Sequence, residues 1–202
     1  MRAVLLLAAA MVFLAACGAD TTGTEVDVGE SAALTWGDGS YGVVLAHGAS
    51  YDAASWEEQA TAMADLDMTV VAVEDISPDA IGAAVRDLQE DGIEDVALVG
   101  GSAGADAILR LAAAEPSLPD QLILLSPNSV VDGLGEQPKL FIASEDEPSG
   151  DVAGQLADSA PGAENDLVLL PGSAHAQGIF DGDQADRVTG LILDRLAKYA
   201  DQ

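Results

Sequence analysis

The chain has 202 residues, 49% of them hydrophobic, and its 35 acidic residues against 7 basic ones give a formal net charge of −28. This charge excludes proteins that bind nucleic acid or anionic lipid through surface cations, because such binding needs lysine or arginine to replace counterions. The apolar fraction predicts one domain with a substantial core, and the acidity itself indicates a solvated surface.

The N-terminus has the pattern of a secretion signal. Residues 1–16 contain one basic residue, Arg2, followed by an almost unbroken apolar stretch from Ala3 to Ala16 that is too short to span a bilayer. It ends in Leu14-Ala15-Ala16-Cys17, which resembles the lipobox of bacterial lipoproteins. The resemblance implies a signal peptide over 1–16, lipid on Cys17, and export to the extracytoplasmic face of the cell membrane. An ordinary signal peptide beside an incidental Cys17 has a similar pattern and also predicts export.

Two expectations concern the segment that follows. Residues 17–32 are polar and rich in Gly, Thr, Asp and Glu, which predicts a flexible tether to a folded domain over 33–202. At the start of that domain, Leu34–Trp36 and Tyr41–Val43 flank the turn-forming residues Gly37–Ser40. This arrangement predicts an initial β-hairpin.

Apolar, β-branched runs then alternate with helical patterns. Near-continuous apolar runs are typical of parallel strands that are buried on both faces. The alternation predicts an α/β fold, with a doubly wound, mostly parallel sheet and helices on both faces, and ligands on such sheets bind beyond the carboxyl ends of the strands. The predicted strands are 42–46, 69–73, 95–99, 121–125, 139–143 and 166–170, and the predicted helices lie near 53–66, 78–91, 103–115, 150–159 and 183–200.

Ser102 lies in a G-x-S-x-G motif, Gly100 to Gly104, directly after the predicted strand 95–99. A strand that enters a glycine-framed serine and continues into a helix forces a sharp turn that exposes the hydroxyl above the sheet. The motif alone is also compatible with a tight turn that has no chemistry. Its position between a strand and a helix favours a nucleophile.

Three further polar elements follow predicted strands. His47-Gly48-Ala49 comes after the first, the acidic run Ser144–Glu147 after the fifth, and His175 after the sixth. A serine hydroxyl needs a neighbouring base to attack near neutral pH, and histidine is the usual one. The chain has only two histidines, and their positions resemble those in the α/β-hydrolase family. The resemblance implies that His175 is the base and that His47 has a structural role on nearby backbone, with His47 as the alternative base.

This ordered set of motifs resembles the α/β-hydrolase family over about residues 34–200. The resemblance implies an alpha/beta hydrolase without a substantial cap, with a catalytic triad of Ser102, His175 and Asp146. Two other carboxylates, Glu145 and Glu147, flank Asp146 and are alternatives for the acid. The resemblance also implies an oxyanion hole made by the backbone N–H groups of Ala49 and Ala103.

The connection from Ser126 to Pro138 is only a loop and is too short for a lid, so we expect an open, shallow site that suits a small acyl ester. The residues expected to bind substrate are Tyr51, Asn128 and Phe180, on a rim that also includes Val130, Val131, Leu134 and Ile179.

The functional interpretation is a lipid-anchored serine hydrolase, foremost a carboxylesterase, with thioester or peptide hydrolysis as variants. No metal site, phosphate loop or dinucleotide motif is visible, so we expect no cofactor. The expected partners are a small-molecule ester or acyl substrate and the membrane through Cys17, with no nucleic acid. A different class also fits the sequence, namely a noncatalytic lipoprotein that uses the same fold as a binding module.

Overall fold

A computed structural model describes residues 21–200, which form one eight-stranded sheet. The bounds of the strands are β1 Thr24–Val28, β2 Ser31–Trp36, β3 Tyr41–Ala46, β4 Met68–Val73, β5 Val96–Gly101, β6 Gln121–Leu125, β7 Lys139–Ser144 and β8 Asn165–Leu170. Their spatial order is β1-β2-β4-β3-β5-β6-β7-β8. The first two strands are antiparallel to their neighbours, and the other six are mutually parallel.

Residues 21–200 contain five α-helices: four lie between successive parallel strands, none lies between β6 and β7, and the fifth follows β8. Short 3-10 helices cover Ala53–Trp56 and Ala176–Asp181. Ser77 caps one of the helices with its hydroxyl, directly before Pro78, as the Ser-Pro pair predicts. The bounds are α1 Glu57–Ala64, α2 Pro78–Glu90, α3 Ala103–Ala114, α4 Pro148–Ser159 and α5 Ala185–Ala200.

The helices lie on both faces of the sheet, which confirms the predicted fold class. Alternate residues of β3, Val44 and Val43, point to opposite faces and join two separate apolar cores. Helices α2, α3 and α4 pack on the first face, and α1 and α5 pack on the second. All six predicted parallel strands are present. The expected burial on both faces fails at the edge strand β8, where Leu167 and Leu169 are each 39% exposed.

The predicted hairpin between 34–36 and 41–43 is wrong. Strand β2 pairs with β1 and β4, and β3 lies on the other side of β4. The glycine-rich segment crosses the end of β4 instead of reversing: a Cβ at Gly39 would lie 1.6 Å from the carbonyl oxygen of Asp67, and one at Gly37 would lie 2.1 Å from that of Met68. These glycines therefore serve close backbone approach, not a tight turn.

The flexible tether predicted over 17–32 is also wrong where the structure describes it. Residues 24–28 form the edge strand β1, with Val28 buried in the core and Val26 packed against it. Through these two alternating valines, the strand packs into the core that α2 also lines. The signal over 1–16 and Cys17 lie outside the described residues. Within residues 21–200, no helix combines the length and hydropathy needed to cross a membrane.

Candidate active site

Ser102 occupies a strained turn between β5 and α3. Its backbone has φ 50° and ψ −111°, outside the regions that side-chain-bearing residues favour. The flanking glycines are required because a Cβ at Gly104 would lie 2.2 Å from the carbonyl oxygen of Ala46, and one at Gly100 would lie 2.6 Å from the side chain of Ile108. The serine is half-buried and its hydroxyl lies at the carboxyl end of the sheet.

His175 lies between this serine and a carboxylate. Its Nε2 is 2.9 Å from Ser102 Oγ, and its Nδ1 is 2.5 Å from Oε2 of Glu147. The imidazole is 44% exposed, whereas only 5% of the Glu147 side chain is exposed. The hydroxyl, the imidazole and the carboxylate are therefore hydrogen-bonded in series. In this arrangement the carboxylate can hold the ring in the tautomer that accepts the serine proton.

The acid expected at Asp146 is therefore corrected to Glu147. The backbone N–H of Asp146 donates to the carbonyl oxygen of Gly172, and its side chain is exposed. Among residues 21–200 no hydrogen bond or ion pair to the Asp146 carboxylate is found. Glu147 is the residue directly before α4, and its side chain turns back toward the ends of β6 and β7. Glu145 is exposed as well.

Hydrogen bonds from two other elements fix the Glu147 carboxylate. Its Oε1 accepts from the hydroxyl of Ser126 at 2.6 Å and from the backbone N–H of Ser144 at 2.9 Å. The same Ser126 hydroxyl accepts from the N–H of Ala176 at 2.9 Å, next to the histidine. Ser126 thus joins the acid to the histidine loop, a role that sequence reasoning missed. The position of Ser126 directly after β6, at the carboxyl edge of the sheet, was the sequence feature that could have indicated this role.

The expected oxyanion donors come shortly after two neighbouring strands of the sheet, β5 and β3. Ala103 is the first residue of α3, so its N–H has no partner within the helix, and the positive end of the helix dipole favours negative charge there. Ala49 follows β3 by three residues. In the described part of the chain neither N–H donates a hydrogen bond, which leaves both available to a substrate.

Gln177 ties the histidine loop to the loop after β3. Its Oε1 accepts from the N–H of Gly48 at 2.6 Å, and its Nε2 donates to Ser55 Oγ at 2.5 Å. The side chain is buried, and the N–H that it holds belongs to the residue before Ala49. Sequence analysis also missed this role, although the position of Gln177 two residues after the candidate base was a signal.

His47 does not contact Ser102. Its Nδ1 lies 2.8 Å from the carbonyl oxygen of Gly48 and its Nε2 lies 3.1 Å from that of Glu74. These contacts confirm the predicted structural role on nearby backbone. They connect the loop after β3 to the end of β4.

The rim differs in part from the expectation. Asn128, Tyr51 and Val130 are exposed, and Asn128 Nδ2 is 3.4 Å from Ser102 Oγ. Phe180 is half-buried and packs edge-on against Trp56. The expectation is wrong for two residues, because Leu134 and Ile179 belong to the apolar cores and are almost fully buried. The half-buried Val131 packs on the first core. Residues 126–138 contain no helix or strand, as predicted.

Comparisons with known proteins give a match at the level of structure. Neither a protein-family model nor a curated protein matches the sequence. An esterase from the bacterial hormone-sensitive lipase family matches with a TM-score of 0.75 and 17% identity, over 89% of this chain and 85% of that one. The chain has the α/β-hydrolase fold.

Two other solved α/β-hydrolase-fold structures match over nearly their whole length. A predicted CIB-like hydrolase from Thermoplasma acidophilum has a TM-score of 0.67 and 16% identity, over 86% of this chain and 96% of that one. A thioesterase domain from the curacin biosynthetic pathway has a TM-score of 0.61 and 15% identity, over 85% and 98%. At such identities the likeness shows the fold alone, so any function has to be argued from the site.

Proposed function

We propose that this protein is a serine hydrolase that cleaves carboxylic esters. The observation that carries the proposal is the position of His175, within hydrogen-bonding distance of both Ser102 Oγ and the buried Glu147 carboxylate. A binding module has no need for this arrangement, which includes a strained serine backbone.

In the first half of the proposed reaction, Ser102 Oγ attacks the ester carbonyl carbon while His175 Nε2 takes the hydroxyl proton. Glu147 stabilises the resulting imidazolium through Nδ1–H. The N–H groups of Ala103 and Ala49 donate to the carbonyl oxygen as it becomes negative. His175 then returns the proton to the departing alkoxide, which leaves as the alcohol and gives an acyl-serine.

In the second half, water replaces the alcohol. His175 removes a proton from the water, the hydroxide attacks the acyl-serine, and the serine leaves with the proton that His175 held. The products are the carboxylic acid and the regenerated triad. No cofactor enters this sequence of steps.

The proposed substrate is a small, neutral acyl ester. The net charge of −28 disfavours anionic substrates through long-range repulsion. The short 126–138 connection provides no lid, so few methylene groups of a long chain can be buried. p-Nitrophenyl butyrate is a suitable first substrate, and it is also the ester soaked into crystals of the structurally similar EstE5.

A fluorophosphonate probe tests the proposal without knowledge of the natural substrate, because it phosphonylates only an activated serine. We expect a single adduct on the tryptic peptide that contains Ser102, no adduct in Ser102→Ala, and strongly reduced labelling in His175→Ala. Ser129→Ala, an exposed serine in the neighbouring loop, is the matched control and should label like wild type. An unlabelled wild-type protein would favour the binding-module alternative.

We also propose that the protein is lipid-anchored and extracytoplasmic, on the basis of Leu14-Ala15-Ala16-Cys17. One acyl chain binds membranes only marginally, so stable anchoring requires at least two chains on Cys17. Mass spectrometry of the N-terminal peptide from the native host should find this modification, and Cys17→Ser should block it. An unmodified wild-type Cys17 would refute the anchor.

A further inference from the structure

A side-chain amide is held beside the nucleophile by a carboxylate that the triad does not use. Asn128 Nδ2 lies 3.4 Å from Ser102 Oγ and 3.1 Å from Oδ2 of Asp106, one turn into α3. The other oxygen of Asp106 accepts from the backbone N–H groups of Asn128 at 2.9 Å and Ser129 at 3.1 Å. The carboxylate therefore fixes both the loop backbone and the side chain.

The same contacts determine which end of the Asn128 amide faces the nucleophile. A carboxylate has only acceptors, so the atom next to Asp106 must be the amide nitrogen. That nitrogen carries two N–H groups, and one of them is taken by Asp106. The second is presented at Ser102 Oγ, so the site holds an oriented, neutral hydrogen-bond donor that is exposed to a bound substrate.

The sheet order indicates which part of the substrate this donor meets. Strands β3 and β6 flank β5, so Ala49 and Asn128 lie on opposite sides of Ser102. The oxyanion is directed to Ala49 and Ala103, and the leaving alcohol must face His175 to receive its proton. His175 lies on the same side of Ser102 as Asn128, because Ser126 joins its loop to the end of β6, so both substituents of the carbonyl carbon are on this side. The acyl group, which takes no proton from His175, is therefore the substituent placed beside Asn128.

We infer that Asn128, oriented by Asp106, selects acyl groups that carry a neutral oxygen acceptor, an alkoxy or hydroxy group, on the carbon next to the scissile carbonyl. In the tetrahedral adduct such an oxygen is three bonds from Ser102 Oγ, which brings it within reach of Asn128 Nδ2. A carboxylate at the same position is disfavoured by the negative charge of Asp106. The inference rests on the proposed esterase function and names a substrate class for it.

The test compares p-nitrophenyl methoxyacetate with p-nitrophenyl butyrate, whose acyl groups have the same size and differ in one oxygen. Each kcat/KM is divided by the rate constant for hydroxide-catalysed hydrolysis of that ester, which removes the intrinsic activation by the ether oxygen. We expect wild type to prefer the methoxyacetate by roughly three- to tenfold, the range of one neutral hydrogen bond.

In Asn128→Ala the corrected ratio should fall to about one, whereas Ser129→Ala, in the same loop, should keep the wild-type ratio. Fluorophosphonate labelling of Ser102 shows that each variant is folded. A wild-type ratio near one, or a preference that survives in Asn128→Ala, would overturn the inference and leave the esterase function standing. If wild type neither hydrolyses these esters nor is labelled, both the inference about Asn128 and the proposed esterase function are refuted.

A second pair of esters tests the acyl-side placement. The pair 2-methoxyethyl butyrate and butyl butyrate moves the same oxygen-for-methylene exchange to the alcohol. We expect no Asn128-dependent preference between these two esters. A preference confined to the alcohol pair would show that Asn128 faces the leaving group and would refute the assignment.

Discussion

Replacement of Glu147 by glutamine should abolish nearly all activity, and the surrounding hydrogen bonds give the reason. Oε1 of Glu147 accepts from the backbone N–H of Ser144, a group that can only donate. In Glu147→Gln the amide oxygen must keep that position, which places the amide nitrogen against His175 Nδ1. The nitrogen donates there, so Nδ1 becomes the acceptor and the ring proton moves to Nε2, where it blocks acceptance of the Ser102 proton.

The wrong tautomer should lower kcat by about 10⁴-fold, which corresponds to roughly 5 kcal/mol of transition-state stabilisation. The opposite orientation of the glutamine, with its nitrogen toward Ser144, sets two donors against each other and is disfavoured. The assay is hydrolysis of p-nitrophenyl butyrate, with thermal unfolding to show that the variant retains its fold.

Two matched controls make the same chemical change in the same turn. Asp146→Asn and Glu145→Gln alter exposed carboxylates, so kcat/KM should stay within about twofold of wild type. If Asp146→Asn lost a thousandfold in activity while Glu147→Gln kept more than a tenth, Glu147 would not be the acid, and the reasoning from the Ser144 hydrogen bond would fail.

Four other predictions concern two residues beside the triad, a buried lysine at the opposite end of the sheet, and the acyl-length preference. Ser126→Ala removes a hydrogen bond to the Glu147 carboxylate and should lower kcat/KM roughly 10- to 100-fold in the same ester assay. Gln177→Leu leaves the buried N–H of Gly48 without an acceptor and should reduce the free energy of unfolding in urea by about 1–3 kcal/mol, with a fall in kcat. Burial lowers the pKa of Lys139 from 10.5 to about 8, so between pH 7 and 9.5 the unfolded chain holds the proton more tightly than the folded protein. Over that range the free energy of unfolding of wild type should therefore rise by about 2 kcal/mol relative to that of Lys139→Met. If the difference between the two proteins did not change with pH, the pKa shift would be contradicted. Across a series of p-nitrophenyl esters, kcat/KM should not rise steadily with acyl length, nor jump when micelles form.

The sheet and the turn that holds Ser102 could be predicted because each has a local pattern. Six apolar runs separated by helical periodicity locate the parallel strands within a residue or two of their ends. Ser102 and His175 could be predicted because each is flanked by small residues and follows a strand. In a parallel sheet that position alone brings side chains to one edge.

The acid could not be chosen from the sequence because 145–147 are three successive carboxylates in a turn. A turn has no side-chain period, so backbone pairing decides which carboxylate points inward. The N–H of Asp146 pairs with Gly172 and its side chain points to solvent, while Glu147 is directed back by Ser126 and Ser144. The resemblance indicated the turn whose carboxylate contacts His175, but not which of its three carboxylates does so.

Contacts between distant parts of the chain were equally hidden. The bond from Gly48 to Gln177 joins residues 129 positions apart, and the one from Ala176 to Ser126 joins residues 50 apart. Neither leaves a periodic trace in the sequence. The misread hairpin has the same origin, since the crossing of the 37–40 segment past β4 depends on a strand that comes about 30 residues later.

Backbone strain in this domain is concentrated at the proposed site. Among residues 21–200, four residues other than glycine have positive φ. Three of them have φ 48–50° and belong to the proposed triad or lie beside it: Ser102, Ser126 and Ala176. Such a conformation costs on the order of 1–3 kcal/mol at each residue and persists only where surrounding contacts hold it.

Those contacts link the three strained residues in succession. The N–H of Ser102 donates to the carbonyl oxygen of Leu125, the residue before Ser126, and the Ser126 hydroxyl accepts from the N–H of Ala176. The turns at Ser102, Ser126 and Ala176 therefore stabilise one another. They hold the proposed nucleophile, the residue that binds the proposed acid, and the segment after the histidine. Strain linked in this way supports the proposed hydrolase over a binding module. It is expected where a hydroxyl, an imidazole and a carboxylate must keep one fixed geometry through a reaction cycle.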